Sequence, residues 1–332
     1  MKYLIAGLGS IGRRHLRNLQ ALGEQDILLY RTHHATLPDE ELGGYPVETD
    51  LGRALQLEPE AVIIANPTAL HLSVALPAAE AGCHLLIDKP VSHSLEGLDE
   101  LQAALKRGGG KVLVGFQFRF HPGLQRIKEL LDKQAVGRPC SVRAHWGEHL
   151  PNWHPWENFR LSYAARPELG GGVVLTLCHP LDYLHWLIGE TESLWAFTSR
   201  HGLGLEVEDT AEIGLKFKNG AVGSVHLDYI QRPPQHTLKI IGTEGTITWD
   251  NASGTVHLSR PISNGPGEES QDFPVRADFE RNSMFLAEMA HFRQVARGEC
   301  EPICPLEDGV YALKLALAAL RSDREHRACE MG

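Results

Sequence analysis

Lys89 is the residue whose type and position most directly suggest chemistry. It lies in the segment HLLIDKP (84–90), at the end of a predicted buried strand and before a proline, whose peptide bond can be cis. A lysine in such a place is costly unless it has a partner or a task. We therefore predict that Lys89 is catalytic or contacts a cofactor. The alternative is a structural ion pair with Asp88.

His179 is the second candidate for chemistry. It lies in 170–189, where apolar residues recur at helical spacing, and Asp182 follows it by three residues and so shares its face or borders it. A histidine in an apolar helix is often only a hydrogen-bonded core residue. This helix, however, directly follows 151–172, an irregular stretch dense in Trp, His, Tyr and Arg, and long loops of this kind are usually functional.

A glycine-rich turn near the start of the chain predicts a dinucleotide site. Its glycines have the spacing G-x-G-x-x-G, between an apolar run at 3–6 and a helical pattern. The first glycine allows a tight turn, the second lets the backbone approach a pyrophosphate, and the third lets the helix pack close to the strand. The helix N-terminus offers N–H groups and the positive end of its dipole to the phosphates. The cofactor contacts predicted here are Gly7, Gly9, Ser10, Ile11 and Gly12.

The end of the second predicted strand, DILLY (26–30), bears on the choice of cofactor. An NAD site usually has Asp or Glu there, about 20 residues beyond the glycines, to bind the ribose hydroxyls. This sequence has Arg31-Thr32-His33-His34 instead. Because a guanidinium suits phosphate geometry, Arg31 can pair with a 2′-phosphate. We therefore predict that Arg31 and Thr32 contact the cofactor and that NADP(H) is preferred over NAD(H). The alternative is that Arg31 is a solvated loop residue.

Strands and helices alternate over 1–118, which predicts a parallel sheet with crossover helices. Two strand ends, at 65–68 and 88–90, should lie on the carboxyl edge of this sheet, where ligands bind in open α/β folds. His71, in the helix predicted over 70–81, is either a ligand contact or a capping or packing residue. The further predicted cofactor contacts are Asn66, Pro67, Thr68, His71, Asp88, Lys89 and Gln117.

The later chain predicts a second sheet. The segment 137–150 alternates like a strand, and 210–231 and 236–250 each contain a turn between strand-like halves. Antiparallel strands should follow, with an edge that can serve as an oligomer interface. The polar, Pro/Gly-rich stretch 262–277 predicts a surface loop. Helices are predicted at 279–297 and 306–324.

Bulk properties bound the class of protein. A chain of 332 residues predicts two domains, which we place at 1–119 and 120–332. The net charge of −10 argues against broad nucleic-acid binding, and no apolar run approaches the roughly 20 residues that cross a bilayer. We expect a cytoplasmic protein with no signal peptide. Six scattered cysteines predict reduced thiols and no metal site; a ligand role for Cys300 and Cys304 is the disfavoured alternative.

Together these features resemble the Gfo/Idh/MocA oxidoreductase family over essentially the whole chain. The motifs that carry the resemblance are GLGSIGRRH (7–15), ANPTALH (65–71), DKP (88–90), GFQFRFHP (115–122), GGG…H-x-x-D (170–182), VHLDY (225–229) and IIGTEGTI (240–247). The resemblance implies an α/β protein: a Rossmann domain with a doubly wound parallel sheet, then an α/β domain with an open, mainly antiparallel sheet. It also implies oxidation or reduction of a sugar, polyol or nucleotide-sugar at a secondary alcohol or ketone. Homodimers or homotetramers through the C-terminal sheet are expected.

The resemblance assigns the catalytic residues one by one. Lys89 matches the lysine of the family's E-K-P motif, with Asp88 in place of the usual Glu, and His179 matches the catalytic histidine. Family members often carry a carboxylate four or three residues before that histidine, where this chain has Leu175 and Thr176. A lysine–histidine mechanism is compatible with this sequence, whereas an Asp–His dyad is not.

The chemistry expected is hydride transfer coupled to proton transfer. An imidazole near its working pKa suits the base that removes the hydroxyl proton, which assigns this role to His179. The ammonium of Lys89 would stabilise the developing alkoxide and hold the cofactor's carboxamide, although the two roles can be exchanged. Arg119 and His154 can equally be ordinary surface or structural residues. The predicted substrate-binding residues are Arg119, Trp153, His154, Tyr163, Thr176 and Asp182.

These residues suit a polyhydroxylated substrate, and an arginine among them can meet a carboxylate or phosphate. Two other functions remain open on the same scaffold: reduction of a non-sugar carbonyl substrate, and a non-catalytic regulator that senses the cofactor. The presence of both Lys89 and His179 favours an enzyme.

Overall fold

The computed structural model describes residues 1–32, 42–262 and 267–331. The chain forms two compact units, and each is made of several chain segments. The first unit comprises Met1–Gln117, Glu168–Gly170 and Glu280–Leu313, and the second comprises Phe118–Pro167, Gly171–Phe279 and Lys314–Gly332. The two-domain prediction placed 280–313 in the second domain, whereas these residues belong to the first unit. One reason is that the N–H of Val114 donates a hydrogen bond to the carbonyl of Cys304 at 2.9 Å.

The first unit is built on a parallel sheet. Its helices and strands before Gln117, where the chain first leaves this unit, are β1 (Tyr3–Ala6), α1 (Ser10–Ala21), β2 (Ile27–Tyr30), β3 (Val47–Glu48), α2 (Leu51–Gln56), β4 (Ala61–Ile64), α3 (His71–Glu80), β5 (His84–Asp88), α4 (Leu98–Gly108) and β6 (Val112–Gly115). The strand order is β3-β2-β1-β4-β5-β6, and each neighbouring pair is parallel. The predicted doubly wound sheet is therefore confirmed.

The strand order also fixes where ligands bind. From β1 the sheet grows towards β2 in one direction and towards β4 in the other, so the order reverses between β1 and β4. Open α/β sheets bind ligands at such a reversal, outside the carboxyl ends of the strands. β1, β4 and β6 are buried along their whole length, as expected for strands covered on both faces.

The second unit is built on a larger, mixed sheet. The elements that follow β6 are α5 (Pro122–Asp132), β7 (Pro139–His149), α6 (Val173–Thr176), α7 (His179–Ile188), β8 (Thr191–Ser199), β9 (Thr210–Phe217), β10 (Val222–Asp228), β11 (Ile230–Gly242), β12 (Thr246–Asp250), β13 (Val256–Pro261), β14 (Glu268–Phe273), α8 (Arg281–Ala296), α9 (Leu306–Glu325) and β15 (Cys329–Glu330). Of these, α8 lies in the first unit, and α9 begins there.

The order of the second sheet is β14-β13-β12-β11-β7-β10-β9-β8-β15. Among the strands described, only β7 and β10 pair in parallel, so the predicted open, mainly antiparallel sheet is confirmed. Residues alternate between a buried face, which includes Trp146, and a polar face, which includes Arg143 and His145.

Two predictions about secondary structure were wrong. The surface loop expected over 262–277 contains β14, which pairs with β13 although its side chains are almost all exposed. A main-chain ladder at a sheet edge needs no apolar alternation, so the polar residues of this segment do not indicate a strand. Residues 263–266 lie outside the described part of the chain. The single helix expected over 170–189 is divided into α6 and α7. Pro180 lacks an N–H and so fits the first turn of a new helix.

Across the residues that the structure describes, we find no helix with the length and apolar character that spanning a membrane requires.

Candidate active site

The glycine turn between β1 and α1 is packed against the end of β4. Gly7 has φ = +90°, and a Cβ there would lie 2.5 Å from the backbone nitrogen of Asn66. A Cβ at Gly12 would lie 1.9 Å from the carbonyl oxygen of Gly7. The fold itself therefore requires both of these glycines.

Gly9 differs from its two neighbours. A Cβ at this position would meet no atom of the described residues within 4 Å, and the backbone is extended, with φ = −72°. Packing therefore gives no reason for glycine here, whereas close approach of a pyrophosphate does. Gly9 also caps α1, whose first turn carries no acidic residue to offset the positive end of the helix dipole. This turn fits the phosphates of a dinucleotide.

Arg31 lies at the end of β2 and is only 6% exposed. The alternative of a solvated loop residue is therefore wrong. Its backbone N–H donates to the carbonyl of Glu48 on β3 at 3.1 Å, and Thr32 after it is exposed. His33 and His34 lie outside the described residues.

The ends of β4 and β5 are joined by a buried histidine. Nδ1 of His71 lies 3.0 Å from the carbonyl oxygen of Pro90, and its Nε2 lies 3.0 Å from that of Asn66. Burial lowers the pKa of His71, so its ring is neutral near pH 7. Of the two alternatives for this residue, the geometry favours packing, because both ring nitrogens face the backbone.

The side-chain oxygen of Asn66 can accept a hydrogen bond from a ligand. Its Nδ2 donates to the carbonyl of Leu70 at 3.0 Å, while Oδ1 is buried and has no hydrogen-bond partner within the described ranges. An unpaired buried acceptor is costly. A hydroxyl of a bound cofactor is a donor that would satisfy it. Pro67 and Thr68 follow in the same loop, and Thr68 is buried.

Lys89 follows directly on β5, is half-buried, and forms a cis peptide bond with Pro90. The neighbouring Asp88 contacts His15 on α1, with 3.3 Å between Oδ1 of Asp88 and Nε2 of His15. His15 is fully buried. The DKP motif is thus tied to the helix that follows the glycine turn.

Glu288 on α8 is a candidate functional residue that sequence reasoning missed. It is fully buried, and neither oxygen of its carboxyl has a hydrogen-bond partner among the residues described. Burial, with a smaller contribution from the charge of Asp88, raises the pKa of Glu288 well above its usual value, which favours the protonated form. The one available signal was a glutamate within an apolar helical face.

His179 is the first residue of α7 and is 1% exposed. Its ring meets Phe118 edge to face, with centroids 4.9 Å apart, and lies 5.3 Å from Trp146 on β7. Trp146 in turn stacks on His236 at 4.4 Å. Burial lowers the pKa of His236 well below its usual value, so this neighbour is neutral. The histidine expected from sequence therefore lies in an aromatic cluster.

Arg119 and Asp182 are paired with each other. The Nη2 atom of Arg119 lies 2.7 Å from Oδ1 of Asp182, and its Nε lies 3.2 Å from both carboxylate oxygens. The side chains are 1% and 0% exposed. Burial and mutual pairing favour the structural alternative for Arg119, and contact of Arg119 and Asp182 with a substrate stays a prediction. Since Asp182 lies in the first turn of α7, the pair restrains the turn that carries His179.

Thr176 ends α6 and is also buried. It lies next to Tyr229, whose hydroxyl donates to the carbonyl of Gly172 at 3.0 Å. Burial raises the pKa of Tyr229 well above its usual value. Thr176 therefore lies among buried polar groups, three residues before His179.

Glu208 is a second residue that sequence reasoning missed. Its Oε1 accepts a hydrogen bond from the N–H of Val174 at 3.1 Å, and a Cβ at Gly172 would lie 2.4 Å from the same oxygen. Burial raises the pKa of Glu208 to about 7. The residue lies in a polar segment before β9, where nothing in the sequence distinguishes it from a solvated acid.

The aromatic loop that precedes α6 consists of short 3₁₀ turns. These turns are Leu150–Asn152, Phe159–Leu161, Tyr163–Ala165 and Pro167–Leu169. Trp153 is half-buried against Tyr229, with ring centroids 5.7 Å apart, and His154 is half-buried against Trp156 at 5.3 Å. Tyr163 is exposed. Of the predicted substrate residues, Trp153, His154 and Tyr163 are therefore the solvent-accessible ones.

Comparison with known proteins shows which protein family the chain matches. Residues 1–116 match the family model described as "Oxidoreductase family, NAD-binding Rossmann fold", and residues 124–248 match the model "GFO/IDH/MocA C-terminal domain". This chain belongs to the Gfo/Idh/MocA family. It is an oxidoreductase with an NAD-binding Rossmann domain, as the resemblance implied.

Two relatives show how similar this chain is to members of the Gfo/Idh/MocA family. An uncharacterized oxidoreductase of Synechocystis sp. is 31% identical in an alignment that covers 68% of this chain and 64% of that protein, so less than two thirds of that relative is spanned. Myo-inositol 2-dehydrogenase of Thermotoga maritima is 26% identical in an alignment that covers 100% of this chain and 98% of that protein. The structure of a levoglucosan dehydrogenase in complex with NADH has the same fold, with a TM-score of 0.87, 21% identity, and coverage of 100% of this chain and 99% of that chain.

Proposed function

We propose that this protein transfers a hydride between a nicotinamide cofactor and a secondary alcohol or ketone of a sugar, polyol or nucleotide-sugar. The observation that carries the proposal is Lys89. It follows β5, an interior strand of the parallel sheet, in a motif whose aspartate contacts the helix of the glycine turn. Two similar proteins, myo-inositol 2-dehydrogenase and levoglucosan dehydrogenase, are named for ring compounds with several hydroxyl groups.

The roles follow from the residue types. When bound, the cofactor supplies the hydride acceptor or donor. His179 takes the proton from the substrate hydroxyl, or returns it in the reverse direction, and Lys89 stabilises the negative charge that develops on the oxygen. Both are needed for turnover in this proposal.

The buried Arg119–Asp182 pair positions the base. Asp182 is one helical turn from His179, so the ion pair restrains the orientation of the first turn of α7. Catalytic geometry is sensitive to displacements of about 1 Å, which makes such a restraint useful. Trp153, His154 and Tyr163 are proposed to contact the substrate.

We propose a preference for NADP(H). The support is a buried arginine at the end of β2, where an NAD site would carry a carboxylate. Titration of the purified protein with NADPH and NADH, followed by fluorescence, compares the two affinities directly. Tighter binding of NADH would contradict the preference.

We also propose that the protein forms a homodimer or homotetramer through its second sheet. Trp195 and Phe197 on β8 are 47% and 65% exposed, and large apolar groups in open contact with water favour a covered surface. The mass of the purified protein in solution, measured by light scattering, tests this. A monomer at micromolar concentration would refute it.

A substrate screen tests the function. The protein is incubated with NADP⁺ or NAD⁺ and a panel of inositols, anhydrosugars, aldoses and nucleotide-sugars, and formation of reduced nicotinamide is recorded by absorbance. At least one polyhydroxylated compound should give turnover that is lost in Lys89→Met. Cofactor binding without turnover on any compound would favour a cofactor-sensing regulator instead.

A further inference from the structure

Two histidines and an aspartate meet on the polar face of the second sheet. His145 on β7 and His226 on β10 are direct partners in the parallel pairing, and their rings stack with centroids 4.5 Å apart. Asp228 is two residues further along β10 and therefore on the same face. Its Oδ2 lies 3.0 Å from Nε2 of His226. One nitrogen or oxygen from each of the three residues lies within 4.8 Å of the other two.

Neighbouring groups form hydrogen bonds with His226 and Asp228, as supporting residues do with the ligands of a metal site. Nδ1 of His226 lies 2.5 Å from Oε1 of Glu212, its partner on β9. Histidines that bind metals usually donate their second ring N–H to a carboxylate in this way, which fixes the tautomer and leaves the other nitrogen for the ion. Oδ1 of Asp228 accepts hydrogen bonds from the N–H groups of Ile230 and Gln231, at 2.8 and 2.6 Å. Its Oδ2 is thereby directed at the histidines.

Gly147 provides the space for the cluster. A Cβ at this position would lie 2.2 Å from Oδ2 of Asp228 and 2.2 Å from Oε1 of Gln231. The same Oε1 lies 2.6 Å from Nε2 of His145. Two oxygens and two imidazoles thus converge where the missing side chain leaves room. Any larger residue at 147 would displace the oxygens.

We propose that this cluster binds one divalent transition-metal ion of the zinc type. His145 and His226 supply nitrogen ligands and Asp228 an oxygen ligand, with the amide oxygen of Gln231 beside the fourth position. Imidazole together with carboxylate suits Zn²⁺ rather than Mg²⁺ or Ca²⁺. Bonds of about 2.0–2.1 Å to a tetrahedral zinc ion place neighbouring ligand atoms about 3.3 Å apart, so side-chain movements of about 1 Å complete the site.

The ion would cross-link β7 and β10, the parallel pair at the middle of the sheet. This role is separate from hydride transfer, and it is independent of the proposed substrate. The sequence-based expectation of no metal rested on the cysteines. The two histidines are far apart in the chain, and only the strand pairing brings them together.

The test is a metal titration of the purified protein after treatment with a chelator. Zn²⁺ is added in competition with a chromophoric chelator, and Co²⁺ is added separately because its visible absorption reports coordination by nitrogen and oxygen. The parent should bind one ion per chain and gain thermal stability from it. His145→Ala and His226→Ala should each weaken binding at least tenfold and lose the thermal gain.

His257→Ala is the matched control. His257 also contacts a carboxylate across a strand pair, with its Nδ1 2.6 Å from Oδ1 of Asp272, but that pair is exposed. This variant should bind zinc as the parent does. A parent that binds no more than a trace, or equal affinity in the parent and in both cluster variants, would overturn the proposal.

If the histidine variants do not fold, Glu212→Gln tests the proposed metal site instead. It keeps the size of the side chain and removes only the charge beside His226. Loss of such a supporting group typically weakens metal binding 10- to 100-fold. An unchanged zinc affinity in Glu212→Gln, with unchanged circular dichroism, would contradict the site.

Discussion

The two units hold their functional groups in different ways. In the first unit, the glycine turn and the ends of β4 and β5 present backbone atoms and short loops, and their geometry follows from a parallel sheet. In the second unit, His179 is held by side chains: Phe118 and Trp146 pack on its ring, and the Arg119–Asp182 pair fixes its helix turn. Each loop of the first unit carries a short sequence motif that can be recognised by itself. The side chains around His179 come from segments that no single motif joins, and their role depends on burial.

The largest effect should come from breaking the buried ion pair of the second unit. Asp182→Ala leaves the guanidinium of Arg119 buried without its carboxylate, and removal of one partner of a buried pair typically costs about 3–5 kcal/mol. The free energy of unfolding, measured in urea, should fall by that amount, and turnover should fall with it.

Glu190→Gln is the control for this change, because the carboxylate of Glu190 pairs with Lys218 at the surface, where solvent screens the interaction. It should leave unfolding close to that of the parent. Equal stability of the Asp182→Ala and Glu190→Gln variants would show that the buried pair does not hold the second unit.

The next effect is a pH dependence from Glu208 in the second unit. Burial raises the pKa of this carboxyl to about 7 from its usual 4.5, so the folded protein binds a proton that the unfolded chain has released. The stabilisation is full below about pH 4.5 and is lost as pH rises towards 7, by on the order of 3 kcal/mol.

Urea unfolding from pH 5 to 8 measures this loss, and Glu208→Gln should remove most of it. If parent and variant show the same pH profile, Glu208 is not protonated in the folded protein.

The glycine turn of the first unit offers a matched pair of substitutions. Gly12→Ala places a Cβ against the backbone of Gly7 and should cost about 1–3 kcal/mol in stability. Gly9→Ala meets open space, so it should leave the melting temperature near that of the parent while weakening NADPH binding at least tenfold. Melting curves and fluorescence titrations separate the two effects. A Gly9→Ala variant that binds NADPH normally would remove the evidence for phosphate at this turn.

The smallest effect concerns the choice of cofactor. Arg31→Ala should weaken NADPH binding about tenfold, as expected for loss of a charged hydrogen bond, and leave NADH binding unchanged. The NADH titration of the same variant is the internal control. Unchanged affinity for NADPH would contradict the assignment of Arg31 to a 2′-phosphate.

The same contrast explains what could be predicted from the sequence. The glycine spacing, the alternation of strands and helices, and a lysine after a buried strand are local patterns, and the parallel sheet that they predicted is the one observed. The Arg119–Asp182 pair joins residues 63 positions apart, so both residues were assigned to a substrate-contacting wall. In the sequence, Glu208 and Glu288 resemble ordinary surface glutamates, and only their burial in the structure distinguishes them from such residues. The break between α6 and α7 depends on Pro180, which an apolar periodicity does not register.

The central claim is that Lys89 and His179 perform the chemistry on a cofactor held by the first unit. It is tested most directly by the rate of nicotinamide reduction in Lys89→Met and His179→Ala, with NADPH affinity measured on the same samples. We predict that both variants bind NADPH within about threefold of the parent and lose at least 10²-fold in kcat, the usual contribution of a positioned acid–base group. Undiminished turnover in either variant would contradict the account.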